Sequence, residues 1–375
     1  MPLKRLLLDD FRNLHKVELH PALELNFVEG ENGSGKTSIL EAISTIAVGR
    51  SFRTRKYRNI IHYEKNQFAL FAEVLQQQSH FSLGVSRHRS GKSQFKLNGA
   101  AISSAGDLAE VLPFQVINSH SFQLLEGGPS ERRRFLDWMV FHVKHSYRQL
   151  WSDYMRCLKQ RNSLLRSDKI DGFGWTIWDS TLSDIAEKID QLRTEVVAAY
   201  LPLLNEYLSR CDFVKEGQLS VDYERGWPKD TMLNDVLYDL REKERKQGFT
   251  GAGPHKADIR IRFNRKDVAE LFSRGQQKAV ITAMYMAQLK VFKNKNNKDC
   301  VLLIDDLPAE LDHKNQERLC KWIAEQQRVQ TFITGIELKP IIDNWPVPLS
   351  AEAYKMFHVK HGQVTERSNG ATHDR

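Results

Sequence analysis

Gly30-Glu31-Asn32-Gly33-Ser34-Gly35-Lys36-Thr37 follows the pattern G-x-x-x-x-G-K-[ST] of a phosphate-binding loop, and its reading decides the fold. Triphosphate charge requires a tight bend whose backbone N–H groups converge, and glycines allow that bend without Cβ clashes. In such a loop Lys36 reaches the β- and γ-phosphates, and the Thr37 hydroxyl ligates Mg2+. Upstream, Leu23-Glu24-Leu25-Asn26-Phe27-Val28 reads as a short strand. Downstream, residues 38–48 put Ile39, Leu40, Ile43, Ile46 and Ala47 on one helical face. The loop therefore lies between strand and helix, and the helix start, Ser38 included, faces the phosphates with its positive dipole end. ATP binding is the base expectation.

The 375 residues allow two or three domains, and a formal net charge of +8 favours an anionic partner, nucleic acid or an acidic membrane. Cys157, Cys211, Cys300 and Cys320 form no C-x-x-C pair, which suits a reducing compartment better than a zinc or disulfide framework. The only apolar run near the start is Leu6-Leu7-Leu8, closed by Asp9-Asp10, so neither a signal peptide nor a membrane span is expected. A cytoplasmic protein without membrane contact is the expectation.

Residues 68–102 alternate apolar and polar and break at Ser90-Gly91 and Asn98-Gly99, as antiparallel hairpins do. From Pro129 to about Arg210 the pattern turns helical. Leu182, Ile185, Ile189, Leu192, Val196 and Ala199 follow a 3-4-3-4 spacing that fits either a short partner-touching arm or an internally packed helical subdomain. Residues 222–250 read as mixed and loop-like in places, and regular α/β patterning resumes at Ile259. The expected division is an N-terminal half of an ATPase lobe at 1–128 and an inserted helical lobe at 129–250. The C-terminal half of the ATPase core follows at 251–366, then a flexible tail at 367–375. Phe-His-Val-Lys-His occurs at 141–145 and 357–361, in a helical and a strand context, which marks coincidence and not a repeat.

Cys300-Val301-Leu302-Leu303-Ile304-Asp305-Asp306 is a buried-strand run ending in two carboxylates. Asp305 is placed to hold the Mg2+ shell, and Asp306 to orient or deprotonate the attacking water. Compact nucleotidases place such a strand much nearer the loop, whereas ABC-type heads carry a large insertion between the halves. Leu271-Phe272-Ser273-Arg274-Gly275-Gln276-Gln277-Lys278 resembles the ABC signature, which caps a γ-phosphate bound by an opposing subunit. Ser273 and Gln276 also form an S-x-x-Q capping box, a purely structural explanation of the same residues. Gly275 in the first helical turn costs about 1 kcal/mol, which close backbone approach to a phosphate would explain. Ala309-Glu310-Leu311-Asp312 occupies the D-loop position. The fold class is α/β: an ABC-type P-loop ATPase head, with a mixed sheet, an antiparallel β subdomain and an inserted mainly helical lobe.

Further blocks are more specific: Phe11-Arg12-Asn13, Gly49-Arg50-Ser51-Phe52-Arg53, Gly127-Gly128-Pro129 leading into Arg132-Arg133-Arg134-Phe135-Leu136-Asp137, and Gly253-Pro254-His255-Lys256-Ala257-Asp258. With these the chain resembles, almost end to end, the RecF family of bacterial recombination proteins. The resemblance implies an ATPase of recombinational repair with weak, DNA-stimulated turnover. It implies ATP-dependent binding to duplex DNA and single-strand gaps, homodimerisation on ATP, and action with RecR, RecO and the RecA pathway. It also implies that Arg12 and Asn13 contact nucleotide, that Ser273 and Gly275 cap the γ-phosphate in trans, and that Asp306 orients the water. Two departures stand out. Ser119-His120 replaces the family's usual Pro-Glu near the lid loop, and Thr334-Gly335-Ile336-Glu337 offers no switch histidine.

Two basic clusters are candidate DNA contacts. Arg50, Arg53, Arg55, Lys56 and Arg58 crowd together with Phe52 and Tyr57, which suits sequence-independent phosphate binding or a plain solvated loop. Arg132, Arg133 and Arg134 fall in the first turn of a helix, where cations oppose the macrodipole. A bound anion or acidic partner, or pairing with Glu126 or Asp137, would account for them. Competing classes are a transport ATPase subunit, an SMC-like head with long arms, and a nucleotide-binding scaffold without significant hydrolysis. The missing histidine and the basic patches disfavour the first, and the short heptad seam disfavours the second.

Overall fold

The computed structural model describes residues 2–167, 172–214, 219–350 and 352–367. The expected tail, apart from Arg367, lies outside the described residues. The chain divides into two compact units: Met1–Ser121 with Asn296–Arg375, and Phe122–Lys295.

The first unit has two sheets with a helix between them. Its central sheet runs Gln363–Arg367, Tyr354–Lys360, Leu25–Glu29, Val329–Gly335, Cys300–Ile304 and Phe114–Ile117 in spatial order. All neighbours are parallel except the terminal hairpin of Tyr354–Lys360 with Gln363–Arg367. Val301, Leu302, Leu303 and Ile304 are buried without alternation, as central parallel strands covered on both faces must be. The second sheet is antiparallel, ordered Leu14–Leu19, Leu3–Phe11, Gln67–Gln76, Ser79–His88, Ser93–Leu97 and Ala100–Ile102. Its hairpins turn at the two Gly-containing sites read from sequence. A third turn, at Gln77-Gln78, carries φ of 51° and 65° with no glycine to announce it.

Helix Lys36–Val48 buries Ile39, Leu40, Ile43, Ile46 and Ala47. They pack with Leu6, Phe11, Phe68 and Leu70 of the antiparallel sheet and with Val301, Leu303, Phe332 and Phe357 of the parallel one. Each such aliphatic side chain contributes about 1.5–3 kcal/mol by leaving water. The layer holds the start of the helix rigidly at the carboxyl ends of the parallel strands, where open α/β sheets place their ligands.

The second unit contains helices Pro129–Val143, Tyr147–Leu165, Gly172–Leu208, Leu233–Gln247 and Arg274–Lys295. A three-stranded sheet joins Leu219–Glu224, Asp258–Phe263 and Lys266–Asp267. One sequence expectation changes here, and two open readings are filled in. Residues 222–250, mixed and loop-like in places by sequence, hold the end of strand Leu219–Glu224, which pairs antiparallel with Asp258–Phe263, and helix Leu233–Gln247. That helix buries only Leu233, Leu237 and Glu244, too thin a stripe to register as periodicity. The stretch 251–366 is not one half-domain, since strand Asp258–Phe263 and helix Arg274–Lys295 belong to the second unit. Lastly, the heptad positions of Gly172–Leu208 face inward. Leu182, Ile189 and Val196 are buried, joined by Ala186, Arg193 and Tyr200 on the same helix, in the manner of an internally packed subdomain.

Candidate nucleotide site

Strand register brings the site's parts to one edge of the central sheet. Ile304 pairs with Ile333 and with Ile117, and Val28 pairs with Thr334, so residues 30, 334, 305 and 118 follow one another, in that order, at adjacent strand tips. The loop itself shows why its glycines stand where they do. Gly35 has φ of 122°, and a Cβ on Gly30 would sit 2.3 Å from the Val359 carbonyl oxygen.

The Lys36 ammonium is buried and donates to the carbonyls of Gly30 at 2.8 Å and Glu31 at 2.9 Å. Burial lowers its pKa, and the charges of Asp306 and Asp305 oppose that shift. Thr37 Oγ1 donates to Asp305 Oδ1 at 2.8 Å, joining residues 268 apart in sequence. Burial raises the Asp305 pKa, countered by the Thr37 and Thr334 hydroxyls and by the charge of Arg53. A hydroxyl and a carboxylate with a second oxygen, Oδ2, that accepts from no described residue form a hard-oxygen donor set that fits Mg2+. Thr37 and Asp305 would hold the ion.

Asn13 braces the loop from outside. Its amide donates to the Ser34 carbonyl at 2.9 Å, and its Oδ1 accepts from Ser38 Oγ at 2.9 Å. The terminal hairpin closes the other flank through Gly362 N–H to the Ser34 carbonyl at 3.0 Å. A cavity of about 250 Å³ opens there beside Asn32, Gly33, His358 and Lys360.

Arg12 makes a two-pronged pair with Glu41, at 2.7 and 3.0 Å, and donates to the Asn59 carbonyl. Glu41 is fully buried on the helix that follows the loop and also accepts from Ser51. Arg53 Nη1 lies 3.8 Å from Glu41 Oε2, so Arg53 stands at the nucleotide site although its sequence context groups it with the surface patch. Sequence reading missed Glu41. The available signal was a carboxylate set among Leu40, Ala42 and Ile43 on an apolar helix, where an unpaired charge is costly.

The other members of the first basic cluster, Arg50, Arg55, Lys56 and Arg58, are exposed. Tyr57 ties their loop to the hairpins: its hydroxyl donates to the Arg89 carbonyl at 3.3 Å, and the Arg87 guanidinium lies 5.1 Å from its ring centre. Ser119 and His120 are exposed just beyond strand Phe114–Ile117, beside the Asp305 strand.

The second cluster differs from the anion-site expectation. Arg132 forms a bidentate pair with Asp258, at 2.7 and 3.0 Å, and donates to the Gly127 carbonyl. Arg133 donates to the Ala257 carbonyl at 2.8 Å, and Arg134 pairs with Glu131. Neither Glu126 nor Asp137 is the partner; the acidic group that Arg132 answers is 126 residues away on the adjoining strand. The Gly253–Asp258 block, which sequence left without a physical role, supplies these acceptors. Pro254 O receives the fully buried Arg193, and His255 bridges Tyr154 at 2.6 Å and the Thr250 carbonyl at 3.0 Å.

In the same unit Ser273 and Gln276 make a reciprocal cap: Ser273 N–H donates to Gln276 Oε1, and Gln276 N–H to Ser273 Oγ. Arg274 and Gly275 open helix Arg274–Lys295. In the first unit Asp312 caps helix His313–Ala324 through Asn315 N–H at 3.0 Å. Among the described residues no helix is long and apolar enough to cross a membrane.

The model of the RecF/RecN/SMC N-terminal domain family matches residues 2–363. A DNA replication and repair protein RecF from Cellvibrio japonicus is 42% identical over 366 residues, covering 97% of this chain and 99% of that protein. One from Saccharophagus degradans is 43% identical over 364 residues, covering 97% and 98%. A solved structure of the recombination mediator protein RecF with ATP superposes with a TM-score of 0.85 at 23% identity, covering 98% of this chain and 97% of that one. An SMC head bound to the C-terminal winged-helix domain of ScpA gives 0.60 at 16% identity, which supports the shared ABC-type head fold. The chain belongs to the RecF/RecN/SMC family and, within it, to RecF.

Proposed function

We propose that this protein is an ATP-gated, DNA-binding ATPase of recombinational repair. The observation that carries the reading is the Thr37 hydroxyl closing on Asp305 at 2.8 Å, which unites the halves of an Mg-ATP site from distant parts of the chain. In this reading the loop from Gly30 to Ser38, with Arg12 and Asn13, holds the nucleotide. Lys36 neutralises developing phosphate charge, and Asp306 orients the attacking water. Ser273, Arg274, Gly275, Gln276 and Asp312 complete the site of a second copy, so ATP drives homodimerisation.

DNA binding is supported by how charge is distributed. Residues 50–102 hold ten Lys and Arg against two Asp and Glu, an excess of eight that equals the formal net charge of the whole chain. The exposed loop and hairpins of the antiparallel subdomain thus form the natural seat for a phosphate backbone, read without sequence preference. Relatives named for DNA replication and repair support a role in repair; within this proposal the protein acts on gapped duplex DNA with RecR, RecO and the RecA pathway in the cytoplasm.

Phosphate release measured with and without duplex DNA, against Lys36→Ala, tests hydrolysis. DNA-stimulated turnover above that control is the expected result, and turnover equal to it would leave a nucleotide-binding scaffold. Ser273→Arg should bind ATP yet stay monomeric, and an ATP-induced dimer in light scattering would refute the trans arrangement.

A further inference from the structure

Thr334 stands at the end of strand Val329–Gly335, where an ABC head often carries its switch histidine nearby, and no role for it was evident from sequence. It is fully buried. Its hydroxyl donates to Asp305 Oδ1 at 3.0 Å and accepts from the Asp306 backbone N–H at 2.7 Å. A hydroxyl has one proton, so donating to the carboxylate leaves its lone pair for the N–H, and the two bonds together fix its orientation.

Asp306 is itself unusual, with φ of 54° and ψ of 51° in the left-handed region. A residue with a side chain stays there only where its surroundings over-determine it. Here Thr334 holds the N–H side, while the backbone N–H groups of Ala309 and Glu310 hold the Asp306 carbonyl at 3.1 and 3.0 Å. Thr331 offers a contrast within the same strand: its hydroxyl is equally buried and has no partner. The fold therefore tolerates a bare hydroxyl in this strand, and the paired bonds of Thr334 are a local feature of the strand tip.

We propose that Thr334 is a positioning residue of the nucleotide site. One hydroxyl sets both the carboxylate of the Mg2+-holding Asp305 and the backbone turn that aims Asp306. The proposal rests on the roles given to those two residues above. It predicts a double signature, in metal dependence and in turnover, because the same hydroxyl serves both acids.

Thr334→Val keeps the branched shape and removes both bonds, and Thr334→Ser keeps the hydroxyl. Two quantities are compared with wild type: the Mg2+ concentration for half-maximal binding of a fluorescent ATP analogue, and kcat and KM for ATP. Loss of a residue that orients a metal ligand typically costs about 10–100-fold, so T334V should need about 10-fold more Mg2+. Its kcat should fall about 10–100-fold with KM within about 3-fold, and T334S should return both within about 3-fold of wild type. A T334V protein within twofold of wild type in both readouts overturns the proposal, as does a T334S protein impaired as deeply as T334V. If T334V does not fold, Thr334→Ala replaces it against T334S with the same criteria. Should wild type turn over no faster than Lys36→Ala, the ATPase reading falls by itself, while the Mg2+ titration still decides the role of Thr334.

Discussion

Two runs of arginine look alike in this sequence and do opposite things in the structure. Arg50, Arg55, Lys56 and Arg58 point into solvent from a loop docked on the antiparallel hairpins. Arg132 and Arg133 turn inward and hold Asp258 and the Ala257 carbonyl. The difference lies in what each run can reach. The first lies in a stretch, residues 50–102, with only two carboxylates, Glu64 and Glu73, and Asp10 and Glu18 of the same subdomain pair with Lys65 and Arg5 instead. The second starts a helix lying against the strand that carries Asp258. A charge cluster is thus a candidate ligand site only after its own chain has been searched for partners.

The sharpest way to break this contrast is to remove one member of the inward run. Arg132→Ala leaves the buried Asp258 with only the longer 3.7 Å ion-pair approach of Arg260 and should cost about 3 kcal/mol in urea unfolding. Arg134→Ala, losing only an exposed pair with Glu131, should cost no more than about 0.5 kcal/mol. Equal losses would mean that the two runs do not differ in kind.

The block that receives these arginines also makes a pH prediction. His255 Nε2 donates to the Thr250 carbonyl, so Nδ1 accepts from Tyr154, and burial pushes the His255 pKa from 6.5 down to about 4. Between those values the unfolded chain holds a proton that the folded chain refuses. Stability is therefore complete above pH 6.5 and falls as pH drops toward 4, by about 3 kcal/mol over the window. Urea midpoints across that range check it: His255→Gln should flatten the slope, and an unchanged slope would assign the acid sensitivity elsewhere.

A smaller effect is expected at Glu41, where Arg12, Ser51 and Arg53 converge. Glu41→Gln weakens the hold on Arg12 and Ser51, and should raise the Kd for ATP about 10-fold, the scale of one charge-assisted hydrogen bond. Unaltered ATP affinity in a nucleotide titration would remove Arg12 from the binding set.

Much of the fold was legible because its signals are local. The loop from Gly30 to Thr37, the helix with Ile39 and Ile43, the strand from Cys300 to Ile304 and the Gly-marked hairpins each declare themselves within a dozen residues. The ABC-type head was legible from their order and spacing. What sequence hid was set by partners far along the chain. Arg132 needed Asp258, strand Leu219–Glu224 needed Asp258–Phe263, and Glu41 needed Arg12. The thinly apolar helix Leu233–Gln247 and the glycine-free turn at Gln77-Gln78 carried too little local pattern to be read. Thr334 was silent for the same reason, since its meaning lies in the Asp305 carboxylate and the Asp306 backbone N–H at the tip of the neighbouring strand.

In the proposed function an outward basic surface binds DNA under control of the nucleotide site. The direct test is duplex-DNA binding by wild type and by an Arg55/Lys56/Arg58→Ala variant, with ATP, with ADP and without nucleotide, across a salt series. Wild type should bind tightly and salt-sensitively only with ATP. The variant should fold as stably as wild type within about 0.5 kcal/mol and lose about one unit of log–log salt slope per phosphate contact removed. Binding that ignores nucleotide, or a variant with an unchanged slope, would contradict the claim.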